Sequence, residues 1–113
     1  MRVLVVEDQW HVANALKLLL EIEGMVVDGP ASTAADALRL AAEQKPELAV
    51  VDINLKGKMA YGLIDQLRDQ EVRIVVVSGY AVLPQLTEKV VAVLQKPVNG
   101  QQLLGALRRA LSR

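Results

Sequence analysis

The chain contains no cysteine, so disulfides and thiolate metal sites are excluded and a reducing compartment fits. Its single histidine, His11, has no second histidine with which to build a nitrogen-rich metal site. His11 reads as a surface residue. Neither sign of charge dominates, with 13 acidic and 13 basic residues, and the lysines and arginines are scattered. A nucleic-acid surface is therefore not expected. No apolar run approaches transmembrane length, and Met1-Arg2-Val3-Leu4 leads straight into a strand without a signal-peptide core. No membrane association is expected, and the expected location is the cytoplasm. Neither a P-loop nor a Gly-x-Gly-x-x-Gly pattern occurs, and no linker or low-complexity segment interrupts the chain.

What is present is enough apolar material for one core. Hydrophobic residues make up 52% of 113 positions, which argues against disorder and for a single domain over residues 1–113. Strands and helices alternate along it. Val3 to Val6 is an apolar, β-branched run suited to a strand covered on both faces. Val12, Leu16, Leu19 and Leu20 recur at helical spacing, and Gly24 stops that helix. Met25 to Val27 reads as a short strand closed by Asp28-Gly29-Pro30. Ser32 or Thr33 caps a helix whose inner face is Ala34, Ala37, Leu38 and Ala41, and Pro46 ends it. Leu48 to Asp52 is the third strand, followed by a loop with Gly57 and a helix carrying Leu63, Ile64 and Leu67. Val72 to Val77 and Val90 to Leu94 are the fourth and fifth strands, with a short helix expected around Pro84 to Lys89. The last helix starts near Asn99 and carries Leu103, Leu104, Leu107 and Leu111.

Five such units predict an α/β fold: a flavodoxin-like, doubly wound (βα)5 sandwich with parallel sheet order 2-1-3-4-5. In such sheets ligands bind at the carboxyl ends of the strands. Four of the five strands lead to a chemical group: Glu7-Asp8 after the first, Asp52 closing the third, Ser78 after the fourth, and Lys96-Pro97 after the fifth. Strand order makes Glu7, Asp8 and Asp52 neighbours. Two carboxylates about 5 Å apart repel by roughly 3 kcal/mol at an effective dielectric near 20, so three would not all stay ionised without a cation. An all-oxygen donor set favours a hard ion such as Mg²⁺, with the backbone carbonyl of Asn54 as an extra ligand. Such a site invites phosphate. Asp52 is placed to act as nucleophile on phosphorus and form an acyl phosphate. Lys96 would offset charge on the phosphoryl oxygens, and the Ser78 hydroxyl would donate to one. The acidic pair also suits the dipole of the first helix, and Asp8 is expected to cap it in part. Trp10 reads as a partly exposed ring at the lip of the site.

With Glu7-Asp8, Asp52, Ser78 and Lys96-Pro97 in this order, the chain resembles the response-regulator receiver (CheY-like) domain of two-component signalling over essentially its whole length. The resemblance implies phosphoryl transfer from a phosphohistidine to Asp52, with Mg²⁺ held by Asp8, Asp52 and the Asn54 carbonyl. Glu7 would assist through water. It also implies a cis peptide at Lys96-Pro97. Implied partners are a sensor histidine kinase or histidine phosphotransferase and a downstream target protein. The usual homodimer surface is the face of the fourth helix, fifth strand and fifth helix. Phosphorylation would switch interactions there while Asp52 dephosphorylates slowly, so the chain is not expected to be a turnover enzyme.

Several positions depart from the common receiver pattern. Lys56 stands where many receivers have proline, and the loop from Lys56 to Gly62 is one residue longer. Tyr61-Gly62 replaces a frequent Asp-Gly, and Val98 a frequent phenylalanine. Val93 occupies the usual place of the switch aromatic. Asp52-Ile53-Asn54-Leu55 and Ser78-Gly79-Tyr80 resemble instead a subgroup with an Asn-Leu-Gly-type loop and Gly-Tyr after the fourth strand. Tyr80 is then expected to replace Val93 as partner of Ser78 in the switch. Among rivals, a haloacid-dehalogenase-type phosphatase would need an acid where Asn54 stands. A flavodoxin-like cofactor binder would not place Glu7-Asp8 beside phosphate. The remaining alternative is a degenerate receiver that binds proteins independently of phosphorylation.

Overall fold

The computed structural model describes residues 1–79, 86 and 88–111. Its elements are β1 (Arg2–Val6), α1 (Trp10–Ile22), β2 (Val26–Ala31), α2 (Ala34–Gln44), β3 (Leu48–Asp52), β4 (Asn54–Leu55), β5 (Lys58–Met59), α3 (Tyr61–Asp69), β6 (Arg73–Ser78), β7 (Ala92–Gln95) and α4 (Gly100–Leu111). The five long strands form one parallel sheet in the order β2-β1-β3-β6-β7. With the two-residue strands β4 and β5 set aside, this is the expected 2-1-3-4-5 arrangement.

The alternation of strand side chains divides the core in two. Leu4, Val6, Ala49, Val51, Ile74 and Val76 face α2 and α3, where they meet Ala37, Ala41, Leu63, Ile64 and Leu67. Val3, Val5, Leu48, Val50, Val75 and Val77 face α1 and α4, where they meet Leu16, Leu20, Leu103 and Leu107. Every residue of β3 is buried, as a strand covered on both sides requires. Each fully buried Leu or Val contributes about 1.5–3 kcal/mol over its exposed state. The helix expected around Pro84 to Lys89 falls in part outside the described residues, at 84, 85 and 87; Leu86 is buried on the α2–α3 side. The side chain of Leu111 also lies outside them.

Local chemistry sets the boundaries. Thr33 caps α2, its side chain accepting the Asp36 N–H at 3.2 Å. Asn99 opens α4 through a reciprocal pair: its Oδ1 accepts from Gln102 N–H at 2.8 Å, and Gln102 Oε1 accepts from Asn99 N–H at 3.4 Å. The guanidinium of Arg73 donates to the Ala110 carbonyl in the last turn of α4.

Two stretches differ from expectation. β2 does not close at Asp28-Gly29-Pro30 but continues to Ala31 through an irregularity, in which Leu4 pairs Asp28 while Val6 pairs Ala31. Gly29 permits this: its φ is 93°, and a Cβ there would stand 3.0 Å from the Val5 carbonyl oxygen. Asp28 is buried rather than a turn residue, and Arg2 binds it at 2.5 and 3.3 Å. The loop after β3 folds as the small antiparallel hairpin β4–β5, turned by Lys56 and Gly57 at φ 51° and 81°. Positive φ at both central residues is the type I′ geometry that matches strand twist. Proline, confined to φ near −65°, does not fit at Lys56.

Candidate functional site

The carboxyl edge gathers its groups from four strands. β1 delivers Glu7 and Asp8, and β3 delivers Asp52 beside it, because Val6 pairs Val51. β6 pairs Asp52 with Val77 and so carries Ser78 one residue further along the rim, where it is buried. β7 pairs Gln95 with Ser78, and the Lys96 N–H donates to the Ser78 carbonyl at 2.7 Å. Lys96 thus enters from across the site. One oxygen each of Glu7, Asp8 and Asp52 lies within 4.8 Å of the others. Asp8, Asp52, Asn54, Gly79 and Lys96 line an open cleft of about 390 Å³.

Hydrogen bonding is uneven among the acids. Asp52 Oδ1 accepts from the Asn54 N–H at 3.0 Å, and Asp52 Oδ2 from Lys96 Nζ at 3.0 Å. Asp8 Oδ2 accepts from the Lys56 N–H at 3.2 Å. Glu7 is 2% exposed; its Oε2 accepts from the Gln9 N–H at 3.2 Å. Its Oε1 stands 3.3 Å from Lys96 Nζ, an ion-pair distance, but is buried without a hydrogen-bond partner. The expected repulsion concentrates on this residue. Burial first, then the neighbouring Asp52 carboxylate, push the Glu7 carboxyl up to about 7, against the opposing pull of the Gln9 amide and Lys96. Burial alone would lower the Lys96 ammonium, but the Asp52 hydrogen bond and the charges of Asp52 and Glu7 outweigh it and raise its pKa.

An all-oxygen set with an orphaned buried carboxylate oxygen suits a hard cation. Glu7, Asp8 and Asp52 are therefore able to hold a metal ion.

Other expectations meet mixed outcomes. The Lys96–Pro97 bond is cis; Gly29–Pro30 is cis as well, which the sequence reading missed. Asp8 does not cap α1. The N-cap is Gln9, no side chain caps that helix, and Asp8 turns to the Lys56 amide instead. Trp10 is 74% exposed, its ring edge-on to the exposed ring of His11. Tyr80 lies outside the described residues. Val93 is half-buried on β7 against the α2–α3 core. The hairpin contact between Lys56 and Asp8 was not foreseen; Gly57 marked a turn, but Lys-Gly is a weak hairpin signal beside Asn-Gly or Asp-Gly. A larger hollow of about 640 Å³ opens at the opposite end of the sheet beside Lys45, Glu47, Glu71 and Arg73. Its charges balance and no acids converge there, so size does not mark the site.

The profile of the response regulator receiver domain family matches residues 3–108. The chain belongs to this family. This receiver is 30% identical to the transcriptional regulatory protein KdpE of Mycobacterium tuberculosis (strain H37Rv), over 98% of the chain and 51% of KdpE. It superimposes on a CheY-like receiver from Methanospirillum hungatei JF-1 with a TM-score of 0.87 and 29% identity, covering 97% of this chain and 92% of that one. A response regulator from Burkholderia pseudomallei, solved with a phosphorylated aspartic acid, a calcium ion and citrate, matches with a TM-score of 0.83 and 32% identity, over 94% of this chain and 65% of that one. The receiver spans about half, or less, of the length of the curated relatives it matches. Among its described residues no helix is long and apolar enough to cross a membrane.

Proposed function

We propose that this receiver accepts a phosphoryl group on Asp52 from a phosphohistidine and thereby switches protein–protein interactions. One observation carries the reading: Glu7, Asp8 and Asp52 converge within 4.8 Å while Lys96 Nζ lies 3.0 Å from Asp52. An Asp52 carboxylate oxygen attacks phosphorus as the bond to the donor imidazole nitrogen breaks, and that imidazole leaves with its electron pair and takes a proton. The products are an acyl phosphate and neutral histidine. Asp8, Asp52 and the Asn54 carbonyl would hold Mg²⁺, and Glu7 would assist through water. When bound, the ion neutralises charge on the phosphoryl oxygens. Lys96, held protonated by its acidic neighbours, follows the charge from Asp52 to the new phosphoryl group. The Ser78 hydroxyl donates to a phosphoryl oxygen.

The consequence is a population shift rather than turnover, with slow return by hydrolysis. Valine at position 93 has no ring to turn, so Tyr80 serves as the aromatic partner of Ser78. A Tyr80→Ala variant with unaltered dephosphorylation and unaltered response to phosphorylation overturns that assignment. The donor is a sensor histidine kinase or histidine phosphotransferase. The exposed apolar side chains of α1, Trp10 at the site and Leu18 and Ile22 beyond it, suit contact with such a partner. Output passes to a target protein, or to a second copy, through the face of β7 and α4.

The deciding experiment incubates the protein with Mg²⁺ and acetyl phosphate and records the intact mass. One added phosphoryl group, absent from Asp52→Ala, is expected. No adduct on a folded, metal-binding protein supports a degenerate, phosphorylation-independent binding module instead.

A further inference from the structure

We propose that the Lys56–Gly57 turn is a backbone clasp that holds the Asp8 carboxylate in position for a cation. The proposal rests on reading Glu7, Asp8 and Asp52 as a cation site. The observation behind it is a contact between residues 48 apart in sequence, the Lys56 N–H donating to Asp8 Oδ2 at 3.2 Å. Within the same loop the Asn54 N–H donates to Asp52 Oδ1 at 3.0 Å. Two amides of one short segment thus reach two carboxylates carried by different strands, β1 and β3. The segment is held in turn by the Gly57 N–H on Asn54 Oδ1 at 3.0 Å and by the Ala60 N–H on the Ile53 carbonyl at 2.7 Å.

The hairpin sets the conformation that turns the Lys56 amide toward Asp8. A non-glycine residue at φ 51° is uncommon, and the pair Asn54↔Met59 and Leu55↔Lys58 on either side holds it there. Proline at this position would remove both the N–H and the positive φ. The Lys56 side chain is exposed, and the contact with Asp8 is made by its backbone. A charge-assisted bond from an amide fixes the rotation of a ligating carboxylate, and such outer partners tune metal affinity by about 10–100-fold. Lys56 is therefore a positioning residue, acting through Asp8.

Two measurements test the clasp. In metal-free protein, amide hydrogen exchange at Lys56 is expected to quicken about tenfold in Asp8→Ala while Asn54, bound to Asp52, keeps its rate. An unaltered Lys56 rate overturns the clasp. Trp10, the single tryptophan, then serves as the fluorescent reporter of Mg²⁺ titration. Lys56→Pro is expected to weaken Mg²⁺ binding about tenfold or more, whereas Lys56→Gly, which keeps both the amide and the positive φ, retains the wild-type affinity. Equal affinities for Lys56→Pro and wild type overturn the clasp, as does an equal loss in Lys56→Gly, which would assign the effect to the ammonium. Failure of the cation reading looks different: wild type itself shows no Mg²⁺ response, and exchange at Lys56 still decides the contact.

Discussion

Two regions of this receiver bury carboxylates, and they do so on opposite terms. On the edge strand β2, Asp28 is 5% exposed and carries its counter-charge within the fold. Arg2 binds it through two nitrogens and also donates to Gln44 Oε1 at 3.0 Å. At the carboxyl edge, Glu7 and Asp52 are buried to a similar degree, Asp8 stands beside them, and among the described residues Lys96 is the cation paired with Glu7 and Asp52. The first arrangement is complete. The second leaves a deficit of positive charge, expressed as the orphaned Glu7 Oε1 and the raised Glu7 pKa. Structural pairs are balanced inside the chain, whereas a site left unbalanced awaits something from outside.

The contrast makes opposite predictions for substitution. Arg2→Ala leaves Asp28 buried without its partner. Breaking a buried pair is strongly destabilising, and because Arg2 is 40% exposed the loss is expected to be smaller than for a fully buried pair while still leaving Asp28 without its counter-charge. Urea unfolding with and without Mg²⁺ measures this, and the loss should be the same in both. A loss below about 0.5 kcal/mol would show that the pair is screened like a surface one and would dissolve the contrast.

Adding the missing charge is expected to act in the other direction. Mg²⁺ at a hundred times its dissociation constant stabilises wild type by about 2.7 kcal/mol, by mass action alone. The same titration leaves Asp8→Ala and Asp52→Ala with little or no gain. Stabilisation that persists in both variants would place the ion elsewhere on the molecule.

The balanced and unbalanced regions were not equally legible in the sequence. The sheet order, both covered faces of β3 and the four groups at its rim could be read because valine runs that end in a polar residue carry direction as well as burial. Lys96 was legible for the same reason, with Pro97 as a marker. Asp28 was read as a turn residue because Asp-Gly-Pro is turn chemistry; only the positive φ of Gly29 and the reach of Arg2 across 26 residues turn it into a buried acid. The hairpin escaped for a related reason. Its strands are two residues long, and its contact with Asp8 spans 48 residues, so no local periodicity announces either. Local grounds give Asp8 a partial capping role beside its place in the acid cluster, and in the fold a distant amide takes the place of that cap.

The smallest expected effect is the most discriminating, because its sign depends on pH. The unfolded chain protonates Glu7 near 4.5, and the fold does so near 7. Between those values the folded state binds more protons than the unfolded one, so the contribution of Glu7 to stability falls as pH rises through this window. The penalty is absent below about pH 4.5 and complete above about pH 7. A shift of this size corresponds to at most about 3 kcal/mol, and because the proton is shared with Asp52 about 2 kcal/mol is expected. Glu7→Gln removes the charge, keeps the shape and abolishes the penalty. In metal-free protein the variant should match wild type near pH 4.5 and exceed it by about 2 kcal/mol at pH 8. Arg2→Ala should show no such reversal across the same range. Denaturant melts at both pH values decide the point: a Glu7→Gln variant less stable than wild type at pH 8 would mean that Lys96 already balances the acids, and the distinction between the two regions would fail.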